Sequence, residues 1–271
     1  TGVRVRRAPD AGQTVLRLVA RTSDGRPAFG DLTVAAGEIV GVAGVEGNGQ
    51  RELAERIVGL SLSGDCEVVL DGADVTRLGP RDRAIRWVAY VPEDPASNAL
   101  VPDFPVAWNL GLRRYRDTRP ERRRWAVDMD ALRDGATRAI RSFDIRGATE
   151  DTRTAILSGG NRQKVVLARE LAGTPMLLVI VNPTVGLDIG AAQGVHQALR
   201  AHRDRGAAIV MISTDLDEIE ALSDRIAVLY RGAIVETLPR ATADRRRLGL
   251  LMTGIAAPAT VGQRHDASDI R

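Results

Sequence analysis

The sequence predicts an α/β fold: a mostly parallel sheet covered by helices, an antiparallel β subdomain beside it and a helical subdomain inserted into it. Three observations carry this expectation. Runs of strand length at 38–44, 177–181, 208–212 and 226–230 are almost wholly apolar, as strands buried on both faces are. Helical patterns around 190–204 and 215–223 alternate with those runs, which is how parallel strands are connected. Between about 95 and 165 the strand signals fade and arginine-rich helical segments take over.

In chain order, residues 1–12 read as a linker, 13–257 as the domain and the polar stretch 258–271 as a flexible tail. With no initiator Met and no apolar leader after Thr1, the chain reads as part of a longer polypeptide. Alternating runs at 15–19 and 32–34, the second closed by Ala36-Gly37-Glu38, read as antiparallel strands. The strand at 38–44 is followed by a helix with Leu53, Ile57 and Leu60 on one face and Gly59 near its end. Residues 67–70, Asp71-Gly72 and 73–75 give a hairpin signal, because an Asp-Gly pair tolerates the positive φ angles of a two-residue turn. A further strand at 87–91 is ended by Pro92, and no internal repeat is present.

The 271 residues suffice to bury a core without staples. The one cysteine, Cys66, excludes an internal disulfide and any cysteine-based metal cluster, and fits a reducing compartment. It follows Asp65 near a turn and reads as inert. No apolar run reaches the roughly 18 residues of a membrane span. Net charge is +3, and Lys164 is the sole lysine, so the basic residues are almost all arginine. The densest cluster, Arg113 to Arg124, has acids interleaved and reads as a solvated surface; a face toward anionic lipid or an acidic partner is the alternative. Aromatic residues, at 3%, are too few for base-stacking platforms, so no nucleic-acid partner is expected. His196 and His202 lie six apart on one helix, a spacing that does not share a face. They read as surface or packing residues, and no metal site is expected.

The segment Gly44-Val45-Glu46-Gly47-Asn48-Gly49-Gln50-Arg51 lies between a buried strand and a helix. That is the context of a phosphate-binding loop, where glycines turn backbone N–H groups inward and the helix N-terminus adds partial positive charge. In the pattern G-x-x-x-x-G-K-[S/T], Gly44 and Gly49 hold the glycine positions. Gln50 replaces the lysine and Arg51 the hydroxyl that binds Mg²⁺. Taken alone, the loop reads equally as a glycine-rich β–α turn with no phosphate role. A dinucleotide-binding loop fits less well, since Glu52 stands where G-x-G-x-x-G needs its third glycine and Asp71 lies in a hairpin turn.

Further along, Leu157-Ser158-Gly159-Gly160-Asn161-Arg162-Gln163-Lys164 opens an apolar helix at 165–170. An apolar strand and then Pro183-Thr184-Val185-Gly186-Leu187-Asp188 follow it. In this order and spacing, over about residues 13–235, the chain resembles the ATP-binding cassette of ABC transporters, with its signature loop, Walker B strand and D-loop. The residues Gln163-Lys164 after the signature, Val91-Pro92-Glu93-Asp94, and Ala43 through Gln50 resemble the ATPases of sugar and nucleoside importers. Within those, the chain is similar to the C-terminal cassette of a two-cassette chain, the half whose own Walker motifs have decayed. Pro95 departs from the arginine usual after Val-Pro-Glu-Asp, and no aromatic stands near 19–21, where an adenine-stacking residue is expected.

The resemblance implies a RecA-like P-loop core in the ABC cassette architecture, with ATP and Mg²⁺ as cofactors, held mainly in a site shared between two cassettes. It implies an intact partner cassette, fused or separate, membrane permease subunits, and an extracytoplasmic solute-binding protein reached indirectly. The location implied is peripheral, at the cytoplasmic face of the cell membrane. It assigns Gly44, Val45, Glu46, Gly47, Asn48, Gly49, Gln50 and Arg51 to nucleotide binding and Glu93 and Asp94 to the Q-loop. Leu157, Ser158, Gly159, Gly160 and Asn161 become a signature loop acting in trans, and Gly186, Leu187 and Asp188 a D-loop at the cassette–cassette interface. The hydrolytic positions are lost: Val181 stands at the Walker B carboxylate, Asn182 at the catalytic glutamate and Thr214 at the switch histidine. Loss of a general base alone costs about 10²–10⁴ in rate. Phosphoryl transfer also depends on positioning and charge neutralisation, so little or no ATPase activity is expected of the isolated chain. Two other readings stay open: a self-sufficient ATPase using Arg51 and Glu46, and a scaffolding module that binds nucleotide weakly or not at all.

Overall fold

The computed structural model describes residues 12–20, 30–62, 66–85, 88–113, 128–172 and 175–255. The expected tail, nearly all of the expected linker, and the arginine cluster beyond Arg113 lie outside the described residues. A four-stranded antiparallel sheet comprises β1 (Thr14–Ala20), β2 (Leu32–Ala35), β4 (Cys66–Leu70) and β5 (Ala73–Asp74), in the order β2-β1-β4-β5. Among the described residues the main sheet has six strands. From one edge these are β10 (Ala233–Pro239), β9 (Arg225–Tyr230), β3 (Ile39–Ala43), β8 (Ala208–Ser213), β7 (Leu177–Val181) and β6 (Val88–Val91). All neighbours pair in parallel except β10, which lies antiparallel on β9.

Every residue of β3, β7 and β8 is buried, as expected of strands covered on both faces. Their side chains alternate between two cores. Leu178, Ile180, Ile209 and Met211 join the core that takes in the helical segments. Leu177, Val179, Val181, Val210 and Ile212 join the one that includes the antiparallel sheet and α1 (Gln50–Val58). The hairpin turn has the expected form, with Asp71 and Gly72 at φ 48° and 75°. Cys66 is buried at the start of β4.

The helix α1 buries Leu53 and Ile57, but Leu60 does not share that face. Gly59 at φ 83° ends the helix, and Leu60 beyond it is exposed. A β-carbon at Gly59 would lie 2.7 Å from the Leu78 carbonyl, which explains the glycine. Below this turn lies Arg83, on α2 (Pro80–Ile85), almost fully buried and far from any phosphate role. Its guanidinium donates to the carbonyls of Arg56, Ile57, Val75, Thr76 and Leu78. It thereby gives the Ile57 carbonyl at the end of α1 a donor and adds a second to the Arg56 carbonyl, which also accepts the Gly59 N–H at 3.3 Å. Burial pushes its pKa below the ordinary arginine value.

Between β6 and β7 come α3 (Pro95–Asn98), α4 (Val106–Gly111), α5 (Met129–Ser142) and α6 (Gly159–Leu171). Arg113, the one described residue of the cluster expected to be a solvated surface, is partly exposed and has buried partners. It donates to the buried Glu170 and to the Val88 carbonyl, while Arg169 reaches the other Glu170 oxygen at 2.9 Å. A buried carboxylate needs such partners, and that need is invisible in a run of arginines.

His202, on α7 (Ile189–Asp204), is a buried packing residue, and burial pushes its pKa below 6.5. The folded state therefore resists a proton that the unfolded chain accepts. Stability is expected to hold above pH 6.5 and to fall as pH drops below it. In thermal melts from about pH 7.5 to about pH 5.5, His202→Gln should lose less Tm than the parent chain. Equal losses would remove His202 as the cause.

Candidate functional site

The phosphate-loop segment Gly44 to Arg51 connects β3 to α1. Gly47 and Gly49 have φ of 84° and 99°, and Gly49 is the N-cap of α1 with no side-chain hydrogen bond capping it. Asn48 fixes the loop from outside: its side chain accepts the Arg231 N–H at 2.9 Å and its carbonyl the Gly232 N–H at 2.8 Å. At the lysine position, the Gln50 amide folds back and donates to the Val45 carbonyl at 2.7 Å. A β-carbon at Gly44 would lie 2.9 Å from that amide nitrogen. Arg51 points along the outside of the helix to Glu55 at 2.7 Å, and both Val45 and Glu46 are exposed.

The carboxyl ends of β6, β7 and β8 form the crevice where α/β sheets bind ligands. Here one side chain bridges it. Asn182, 7% exposed and at φ 46°, donates from Nδ2 to Glu93 Oε1 at 2.9 Å and accepts the Thr214 N–H at 3.1 Å. Its own N–H is held by the Ile212 carbonyl at 2.8 Å. Asparagine tolerates this left-handed conformation better than most residues do. Asp94 turns away and caps α3, accepting the Ser97 N–H at 3.1 Å, with Pro95 at the first helical position. Sequence reasoning missed Glu218 on α8 (Leu216–Leu222), which accepts from Ser213 and Thr184 beside this crevice. Asp215-x-x-Glu218 looks like an ordinary capping box at a helix start, so the sequence signal was ambiguous.

Ser158 is the N-cap of α6, and its Oγ accepts from the Asn161 side chain at 3.0 Å and its backbone N–H at 3.4 Å. Leu157 is buried and anchors the loop, whereas Ser158 and Gly159 are exposed. A β-carbon at Gly159 would meet nothing within 4 Å, and one at Gly160 would touch the Gly186 carbonyl at 3.5 Å. The 157–161 loop is thus backed by the 186–188 turn and open on its outer side. Leu187 donates to the Thr184 carbonyl at 3.1 Å, and Asp188 caps α7 by accepting the Ala191 N–H at 2.8 Å. That bond holds the Asp188 carboxyl below its ordinary pKa. Around these turns Ile156, Val185 and Ile189 expose apolar side chains, Ile189 to 81%.

The residues present do not fit Mg²⁺ at this chain's own loop. Val181, where the resemblance places the carboxylate, is apolar and buried, Arg51 stands where it places the hydroxyl, and no cluster of three metal-ligating side chains exists among the described residues. Gly47 and Gly49 keep the left-handed backbone conformations by which a glycine-rich β–α loop turns N–H groups inward.

A family model described as ABC transporter matches residues 30–185. The chain is 44% identical over 260 residues to the glucose import ATP-binding protein TsgD13 of Haloferax volcanii, covering 93% of this chain and 47% of that protein. It is 41% identical over 223 residues to the nucleoside import ATP-binding protein NupA of Lactococcus lactis, covering 82% and 44%. A ribose import ATP-binding protein of Rubrobacter xylanophilus is 35% identical, with coverage of 93% and 50%. The chain thus spans about half the length of the curated relatives it matches. Among solved structures, an ATP-binding subunit of an ABC transporter superposes with a TM-score of 0.71 at 20% identity, over 89% of this chain and 100% of the other. An ATP-binding cassette dimer in a post-hydrolysis state with ADP and Pi gives 0.68 at 21%, over 85% and 98%. The fold is that of an ABC cassette, and the chain belongs to the ABC transporter family.

Proposed function

We propose that this chain is a degenerate cassette of a sugar or nucleoside importer that completes a partner cassette's ATP site without hydrolysing ATP at its own. One contrast carries the reading: the 157–161 loop is capped and open, while the crevice at the ends of β6, β7 and β8 is bridged by Asn182. At the open loop, the Ser158 hydroxyl and the N–H groups of Gly159 and Gly160 would stabilise charge on the γ-phosphate of an ATP held by the partner. That role needs neither lysine nor carboxylate. At the bridged crevice, Asn182 can hydrogen-bond a water but cannot accept its proton. Arg51, engaged by Glu55, offers little support for a self-sufficient ATPase.

The partner is an intact cassette, fused or separate. The pair would sit peripherally on membrane permease subunits at the cytoplasmic face, with an extracytoplasmic solute-binding protein acting indirectly. The names of the relatives support sugars or nucleosides as the cargo class. Among the described residues no helix is long and apolar enough to cross a membrane.

The purified chain should hydrolyse Mg-ATP at least about 10³-fold more slowly than an intact cassette. Calorimetric titration with ATP should give the same affinity with and without Mg²⁺. Turnover matching an intact cassette would overturn the proposal.

A further inference from the structure

Glu218 is a buried carboxylate that none of the hydrolytic positions uses. It lies on the first turn of α8 and is 4% exposed. Its two oxygens gather side chains from three other places. Ser213 Oγ, at the end of β8, donates to Oε2 at 2.8 Å. Thr184 Oγ1, after β7, donates to Oε1 at 2.8 Å, and His196 Nε2, on α7, lies 3.1 Å from the same oxygen. Two of these contacts continue outward. Ser213 Oγ accepts the Asp215 N–H at 3.1 Å, next to Thr214. The Thr184 carbonyl holds the Leu187 N–H at 3.1 Å in the turn that ends at Asp188. A buried carboxylate must keep its acceptors satisfied, so these groups share one arrangement.

We infer that Glu218 is a positioning residue that sets the 186–188 turn, through Thr184, for the ATP site completed in trans. It also ties that turn to the end of β8 carrying Thr214. The inference rests on the proposed trans role of this face. Because Gly160 packs toward the Gly186 carbonyl, a displaced turn also displaces the loop at Ser158. A misplacement of about 1 Å near reacting groups can cost about 10²-fold in rate.

The test uses the assembled two-cassette complex. Glu218→Gln keeps the side chain's size but turns one of its two acceptor oxygens into an NH₂ donor, so Ser213 Oγ and Thr184 Oγ1 can no longer each donate to an oxygen of their own; Thr184→Val removes only the arm to the turn. Each should lower kcat about tenfold with KM for ATP unchanged, and the double variant should fall no further, because both break one linkage. Wild-type kcat in Thr184→Val, or multiplicative losses in the double variant, would show that Glu218 merely holds α8. Should Glu218→Gln not fold, Thr184→Val alone decides: a kcat about tenfold lower at unchanged KM supports the linkage, and wild-type kcat overturns it. Ser158→Arg serves as the reference. If it leaves turnover intact, the trans reading itself fails and takes this inference with it. If it abolishes turnover while the Glu218 and Thr184 variants run normally, only the inference fails.

Discussion

Ser158→Arg in the assembled two-cassette complex is expected to lower Mg-ATP turnover about 10²–10³-fold, the usual loss when a preorganised donor to transition-state charge is removed. The hydroxyl disappears, and a long side chain fills the open approach above Gly159, where a β-carbon meets nothing within 4 Å. The fold should survive. Ser158 is exposed, and the loss of its cap on α6 costs about 1 kcal/mol. Steady-state phosphate release with a parallel thermal melt separates the two effects. Ser158→Ala loses the same cap but leaves the approach open, so its turnover should lie between parent and Ser158→Arg. Parent-level turnover in Ser158→Arg would mean that this loop touches no ATP.

Arg83→Met should be the most destabilising single change described, by about 3–5 kcal/mol. The methionine keeps apolar contact but leaves the carbonyls of Ile57, Thr76 and Leu78 without the guanidinium, while those of Arg56 and Val75 keep the N–H groups of Gly59 and Leu78. Arg83→Lys should recover only part of this, because one ammonium cannot span the positions a planar guanidinium reaches. Urea denaturation of the chain reads both variants. A loss under about 1 kcal/mol for Arg83→Met would mean that water replaces the guanidinium at those carbonyls.

What the sequence disclosed was local. The strands of the main sheet were legible where burial on both faces leaves an uninterrupted apolar run, as in β7 and β8. The edge strand β10 was not, because its residues are mostly half-buried and Glu236 and Thr237 break the apolar run. The helix α9 (Arg245–Met252) was missed for a similar reason: its first turn is Arg245-Arg246-Arg247, and only Leu248, Leu251 and Met252 are buried. Leu60 fell on the helical period, yet the αL glycine before it ends the helix.

At the site, Ser158 as a helix cap and the glycine conformations of the phosphate loop follow from neighbouring residues. The bridge from Asn182 to Glu93 and Thr214 does not, since it joins positions 89 and 32 residues apart. Composition likewise hid the arginines. Arg83 and Arg113 resemble their solvated neighbours in sequence, and only the carbonyls and the carboxylate they meet in the fold distinguish them.

The most direct measurement counts nucleotide trapped by vanadate in the assembled complex during turnover. Hydrolysis confined to the partner's phosphate loop predicts one ADP retained per pair of cassettes, and none when Ser158 is replaced by arginine. Two ADP per pair, or retention unchanged by Ser158→Arg, would contradict a cassette that completes its partner's site while its own stays silent.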